Sequence, residues 1–244
     1  IDVAYDSALK MYSLVESMLE FNELQNDSLK LIHKEFALTP SLHHLSKHYE
    51  LFAKDRSFEF SYEIARECPE HALGDGYRLL QIIDQLLNNA FKFTSTGSVH
   101  LSIHSQPTSE NELILAATVT DTGVGIPTGA EVKLFQPFMQ VDSSTTRNFQ
   151  GLGLGLSLMD QLATKMGGAI SYAPNQIDGE RSGSVFTLSL PLSLATCGES
   201  LTIDLSKKLK INRFSSHQLD EHESDTNAPS TRALGKSASR SLLK

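Results

Sequence analysis

Tryptophan is absent from this 244-residue chain, cysteine occurs only twice, and no apolar run approaches the length needed to cross a bilayer. The two cysteines, Cys68 and Cys197, stand in no CxxC or Cys/His spacing. Neither a zinc site nor a disulfide framework is therefore indicated, and a reducing compartment is the expectation. Basic clusters are missing too. With a net charge of -8 and its Lys and Arg scattered, the chain lacks a general electrostatic surface for nucleic acid, so any phosphate binding has to be local. No basic-then-apolar leader opens the sequence, and a chain that begins on Ile1 reads as a piece of something longer. What is present is 40% hydrophobic residues, enough for one good-sized core with an appended segment.

Periodicity divides the chain. From Asp2 to about Ile32, apolar residues recur at helical spacing (Leu14, Val15, Met18, Leu19, Phe21, Leu24, Leu29), which predicts a long helix whose stripe needs a partner. Pro40 opens a second helix with Thr39 or Ser41 near its cap, and SFEFSYEI alternates like a strand. Gly74 and Asp75 introduce a helix from Tyr77 to Thr94. VHLSIHS and ELILAATVTD follow as an antiparallel pair of strands. Loops run from DTGVGIP through DSSTTRNFQ, then a helix from Leu154 to Met166 and two strands, AISYA and SVFTLSL, around the turn NQIDGERSG. LTIDLSKKLKI reads as a strand or a connection, and Ser215 onward has a disordered composition. Together these predict an α/β sandwich, one mixed sheet with helices on one face.

Three stretches carry chemistry. GLGLGL, Gly151 to Leu156, precedes a helix, where glycines let backbone approach a ligand and the helix start favours an anion. It is not a Rossmann fingerprint, because a polar loop leads into it, and P-loop and protein-kinase signatures are absent. Asp121 to Gly125, DTGVG, follows a strand: its aspartate can accept from an exocyclic amine and its glycines leave room for a flat ring, though taken singly a tight turn is the better reading. In DQLLNNAFKF, Gln85, Asn89, Lys92 and Phe93 share one helix face, while Ile83, Leu86, Leu87 and Ala90 take the core side. Asn88 lies about 100° round from Asn89, beside Asp84, on what reads as a solvated face.

In their order, NNAFKF, DTGVGIP, LFQPFMQVD and GLGLGL resemble the N box, first glycine box, phenylalanine box and second glycine box of the sensor histidine kinase catalytic domain. VDSSTTR ahead of the glycines is similar to the hybrid type, and the likeness covers roughly Phe36 to Leu192. The resemblance implies a Bergerat ATP-binding α/β sandwich, shared with gyrase, Hsp90 and MutL. It implies domains at 1–33 (second helix of a dimerisation and phosphotransfer hairpin), 34–194 (ATP-binding catalytic domain) and 195–244 (linker or tail). It further implies that Asn89 ligates Mg²⁺, Lys92 and Arg147 reach phosphates, and Asp121 binds the adenine amine, with Phe93, Gly123 and Gly125 at the base. Gly151, Leu152, Gly153, Leu154 and Gly155 would offer backbone to the phosphates. One amide ligand suffices physically, because Mg²⁺ keeps waters and takes oxygens from the nucleotide. Phe135 and Phe138 are expected to anchor the loop in the core.

The sequence departs from the family at Gln85 (usually Asn), Gln136 (often Glu), and Gln150 and Leu152 (usually Gly and Thr or Ser), which bears on efficiency more than on nucleotide binding. A phosphoacceptor box is also lacking: in HKEFALTP, His33 to Pro40, the Thr-Pro pair comes two residues too late, and FALTP better resembles an entering strand. His43, His44 and His48 sit on a helix expected inside the domain. The acceptor helix is thus expected ahead of Ile1 or on a partner subunit. The implied activity is ATP-dependent protein-histidine kinase, with a homodimer and a response-regulator receiver domain as partners. The domain is expected in the cytoplasm, with membrane anchoring of the full-length protein left open. A gyrase-like or Hsp90-like ATPase and a non-catalytic nucleotide-binding scaffold are the alternatives.

Overall fold

The computed structural model describes residues 2–139, 153–177 and 180–195. Helix α1 spans Asp2–Gln25 and ends seven residues before the apolar pattern does. Asp27 takes a left-handed conformation (φ 53°), Ser28 N–H donates to the Glu23 carbonyl and Asp27 N–H to that of Leu24. That pair of bonds closes a helix C-terminus, with aspartate where glycine is commoner. Phe21 and Leu24 pack against the core, while Met11, Val15, Met18 and Leu19 stay exposed.

Strand β1 (Lys34–Ala37) leads straight into α2 (Leu38–Ala53). The predicted start at Pro40 is therefore two residues late. Pro40 occupies the first turn, where its missing N–H has no helical partner to lose, and the Thr39 hydroxyl donates to the Pro69 carbonyl (2.9 Å) instead of capping. Strand β2 (Phe58–Ile64) matches its alternation, and β3 (His71–Gly74) is a four-residue strand that no periodicity announces. Helix α3 (Gly76–Phe93) starts on Asp75, whose carboxylate accepts from Arg78 N–H at 3.1 Å. Strands β4 (Gly97–Pro107) and β5 (Glu112–Asp121) pair antiparallel as expected. A short 3₁₀ turn at Glu131–Lys133 follows, then α4 (Gly155–Lys165), β6 (Ala169–Ile177) and β7 (Glu180–Leu194).

The seven strands form one mixed sheet in the order β1-β3-β7-β5-β4-β2, with β6 on β7. Only β2 and β4 are parallel; the connection between them carries α3 across the sheet. Alternate residues of the central strands face inward: Val99, Leu101 and Ile103 on β4, Leu113, Leu115, Ala117 and Val119 on β5, Leu188, Leu190 and Leu192 on β7. Against them lie Leu79, Ile82, Ile83, Leu86 and Leu87 of α3 and Leu158 and Leu162 of α4. The expected two-layer sandwich with helices on one face is what forms.

Strands β6 and β7 extend through most of the predicted NQIDGERSG turn. Pro174 is tolerated because β6 pairs on one side only, and the register slips between Pro174 and Gln176, where the single residue Asn175 faces two residues of β7, Ser182 and Gly183, in a bulge. The readings made for LTIDLSKKLKI and for the chain beyond Ser215 fall outside the described residues. Among the described residues, no helix is long and apolar enough to cross a membrane.

Candidate functional site

Helix α3 organises the site. On its polar face, Gln85 Nε2 reaches Asn89 Oδ1 at 3.5 Å, and the same Gln85 nitrogen lies 3.1 Å from where a Cβ on Gly155 would stand. Asn89 is thus brought, through Gln85, to the beginning of α4. Among the described residues no side chain caps that beginning: Leu154 is the N-cap residue, its side chain is buried, and its carbonyl is engaged by Ser157 Oγ and Leu158 N–H. Uncapped N–H groups there aim a positive dipole end at the space beside Asn89. Gly153, at φ 68°, accepts from Phe138 N–H (3.1 Å) and lies so close to the Phe138 and Met139 backbone that a Cβ would fall 2.7 Å from the Met139 carbonyl oxygen.

Two turns further along α3, Lys92 is half-buried, its ammonium 4.9 Å from the centre of the Phe93 ring, and burial holds its pKa below the usual lysine value. The helix end is stitched to the first glycine loop. Val124 N–H donates to the Phe93 carbonyl (3.2 Å), and a Cβ on Gly123 would fall 2.3 Å from that oxygen. Gly123 therefore clears backbone, whatever room it also leaves for a ring.

Asp121 ends β5 with only 4% of its surface exposed. One carboxylate oxygen accepts from Gly123 N–H at 2.9 Å and from Ser184 N–H at 3.2 Å, while its main-chain carbonyl accepts from Asn175 Nδ2 at 2.9 Å. Burial raises its pKa and these donors oppose the rise. A carboxylate offers about four acceptor positions, so capacity remains for an incoming amine. Gly183 backs this arrangement at φ 104°, and a Cβ there would stand 1.9 Å from the Asp121 carbonyl oxygen. Gly183, Ser184 and Asn175 were not singled out in the sequence; a glycine and a proline inside an alternating strand pattern were the available signals.

Other expectations change. Asp84 and Asn88 do not lie on a solvated face, because α2 covers it: the Tyr49 hydroxyl donates to Asp84 Oδ1 (2.9 Å) and approaches its carbonyl (3.0 Å), and Asn88 Oδ1 is buried without a partner. Burial lifts the Asp84 pKa to about 6, against the bond from Tyr49. Above its unfolded value near 3.8, the folded protein holds a proton the unfolded chain has released, so this group's contribution falls as pH rises to about 6 and then levels. A rise of that size corresponds to roughly 3 kcal/mol at most. Asp84→Asn keeps an acceptor for Tyr49 and removes the titration. Its stability relative to the parent should climb between pH 4 and 6, measured by urea unfolding; a flat difference would refute the burial argument.

Phe135 packs on the core as expected, but Phe138 does not. It is 57% exposed, has φ 62°, and its ring lies 6.0 Å from that of Phe21 on α1. Its place in the tight backbone pairing with Gly153 turns it outward. Arg147, Gln150, Gly151 and Leu152 lie outside the described residues, and Gln136 is exposed. His33 is exposed in the linker before β1, which ends the case for HKEFALTP as a helical acceptor box.

Residues 74–194 match the family model described as histidine kinase-, DNA gyrase B-, and HSP90-like ATPase. They belong to that family. The chain is 35% identical over 188 residues to the sensor histidine kinase RcsC of Escherichia coli strain K12, covering 77% of this chain and 19% of RcsC. To the signal transduction histidine-protein kinase BarA of the same strain it is 32% identical over 190 residues, covering 77% of the chain and 20% of BarA. Among solved structures it is similar to full-length ShkA crystallised with AMPPNP, at a TM-score of 0.62 and 26% identity, covering 77% of this chain and 37% of ShkA. The chain thus carries a catalytic domain of the sensor histidine kinase type, and it spans about a fifth of the length of the curated relatives it matches.

Proposed function

We propose that residues 34–194 bind ATP with Mg²⁺ and transfer its γ-phosphoryl group to a histidine outside this fragment. The observation that carries the reading is the spacing along α3. Asn89 and the uncapped start of α4 meet at Gln85, and the Asp121 loop abuts Phe93, eight residues on, or about 12 Å along the helix axis. A ligand with a base at one end and phosphates at the other fits that arrangement. Asp121 would take the adenine amine beside Phe93, Gly123 and Gly125. The backbone from Gly151 to Gly155 would face the phosphates, with Lys92 and Arg147 supplying charge.

A divalent cation fits the donors present. Asn89 offers a half-buried amide oxygen, and among the described residues no group of three or more His, Cys, Asp or Glu side chains could hold a metal by itself. Asn89 would hold Mg²⁺ together with the nucleotide, and the ion when bound neutralises phosphate charge. The chain's residues position and stabilise: the acceptor imidazole nitrogen forms its bond to the γ-phosphorus as the bridging P–O bond to the β-phosphate breaks, and ADP leaves. Residues 1–33 would belong to the second helix of an acceptor hairpin. The exposed side of α1 suits a helical homodimer, and a receiver domain would take the phosphoryl group onward.

Hydrolysis is disfavoured because Gln85, where ATPase relatives place a glutamate, cannot accept a proton at neutral pH. The test supplies an acceptor hairpin and γ-labelled ATP and looks for acid-labile label on histidine. ATP binding without label would refute the transferase reading, absence of ATP binding would leave a scaffold, and steady phosphate release abolished by Asn89→Ala would favour an ATPase.

A further inference from the structure

A cavity of about 300 Å³ lies at the far end of the sheet from Asp121. It opens beside Glu112, the first residue of β5, whereas Asp121 is the last, so roughly 30 Å of strand separates the two places. Its volume is at the small end of ligand pockets, for which about 300–1,000 Å³ is usual. The lining is apolar at Leu31, Leu73, Met166, Pro191 and Leu192, and carries two carboxylates, Asp75 and Glu112, against one imidazole, His33, with no lysine or arginine. Asp75 is only 7% exposed, and its two oxygens each accept a backbone N–H, Arg78 at 3.1 Å and Ile32 at 2.9 Å, which leaves lone pairs on both.

From this juxtaposition we infer that the cavity binds a small organic ammonium with an apolar body. A carboxylate ligand would meet Asp75 and Glu112 with like charge, and a neutral hydrocarbon would leave unused the acceptor positions that Arg78 N–H and Ile32 N–H do not fill on Asp75. An ammonium satisfies both acids while its body covers the leucines and Met166. The site also has a consequence for geometry. One wall is the linker 31–33 between α1 and β1, and Asp75 is the N-cap of α3, so a ligand there touches the linker and the base of the helix that bears Asn89 at once.

The experiment uses the full 244-residue chain and two probes of equal shape and opposite charge, phenethylamine and phenylacetate, read by methyl NMR. Phenethylamine should shift the methyl signals of Leu31, Leu73, Met166 and Leu192 saturably, with phenylacetate about tenfold weaker or worse. Glu112→Gln, at an exposed position, should weaken phenethylamine about tenfold, and Thr108→Trp, exposed at the rim, should abolish binding with Tm unchanged. Equal binding of both probes, or lining methyls that neither probe moves, would overturn the inference. None of these readouts involves nucleotide, so the outcome is independent of the proposed kinase activity.

Discussion

Asn89→Ala will lower phosphoryl transfer to a supplied acceptor hairpin by about 10²–10³-fold, the scale seen when one preorganised electrostatic group is removed from a reaction centre. Asn89 is the one side chain proposed to bind the cation directly, and among the described residues no His, Cys, Asp or Glu cluster could take over. The loss should not come from unfolding. Asn89 is half-buried and, among the described residues, its amide has one long contact, 3.5 Å to Gln85, so its removal leaves no desolvated partner among them. Stability should therefore change by less than about 1 kcal/mol. Calorimetry with a non-hydrolysable ATP analogue separates the effects: in the presence of Mg²⁺ the variant should bind far more weakly than the parent, and in EDTA the two should converge. A variant that transfers phosphoryl groups at the parental rate would remove Asn89 from the site.

Gly183→Ala should be the most damaging single methyl addition near Asp121. The added carbon would stand 1.9 Å from the Asp121 carbonyl oxygen and 2.7 Å from the Thr122 Cα, all backbone, and the residue would be held at φ 104°. Neither neighbour can rotate away. Strain at left-handed φ contributes about 1–2 kcal/mol and overpacking about 1–3, so destabilisation of about 2–5 kcal/mol is expected. Melting temperature should fall by roughly 5–15 °C. Because Ser184 N–H and Gly123 N–H both hold the Asp121 carboxylate, displacement of the Asp121 backbone should also weaken ATP-analogue binding by more than tenfold. Gly129→Ala is the matched control: it too has positive φ, 88°, but nothing lies within 4 Å, so it carries the conformational strain without the collision. If the two variants melt together, the close approach at Gly183 has no energetic weight.

What sequence could and could not give follows from range. The core face of α3 was legible, since Ile83, Leu86, Leu87 and Ala90 are set by a period of 3.6 and all prove buried. So were β4 and β5, where alternation carries the signal, whereas of the entry strand read in FALTP only Phe36 and Ala37 are extended, since α2 starts at Leu38. The face bearing Asp84 and Asn88 was misread because its burial depends on Tyr49, 35 residues away on α2. The bracing of Asp121 was missed for the same reason: Asn175 and Ser184 lie 54 and 63 positions along the chain from the bonded residue. The end of α1 was misplaced because Asp27 does a job usually marked by glycine.

The bulge on β7 opposite Asn175 divides β6 into two stretches that evolution and engineering can treat differently. Between Ala169 and Asn175 the count of residues is fixed, since losing or gaining one would exchange the two faces of the strand and swing the amide away from Asp121. Beyond it, Gln176 and Ile177 pair with Arg181 and Glu180 of β7, on the far side of the register slip, so the spacing there does not set the position of the Asn175 amide. Strand β6 thus joins a segment under strict spacing control to one that tolerates a change of spacing, and residues added after Ile177 would leave the contact between Asn175 and the Asp121 carbonyl in register.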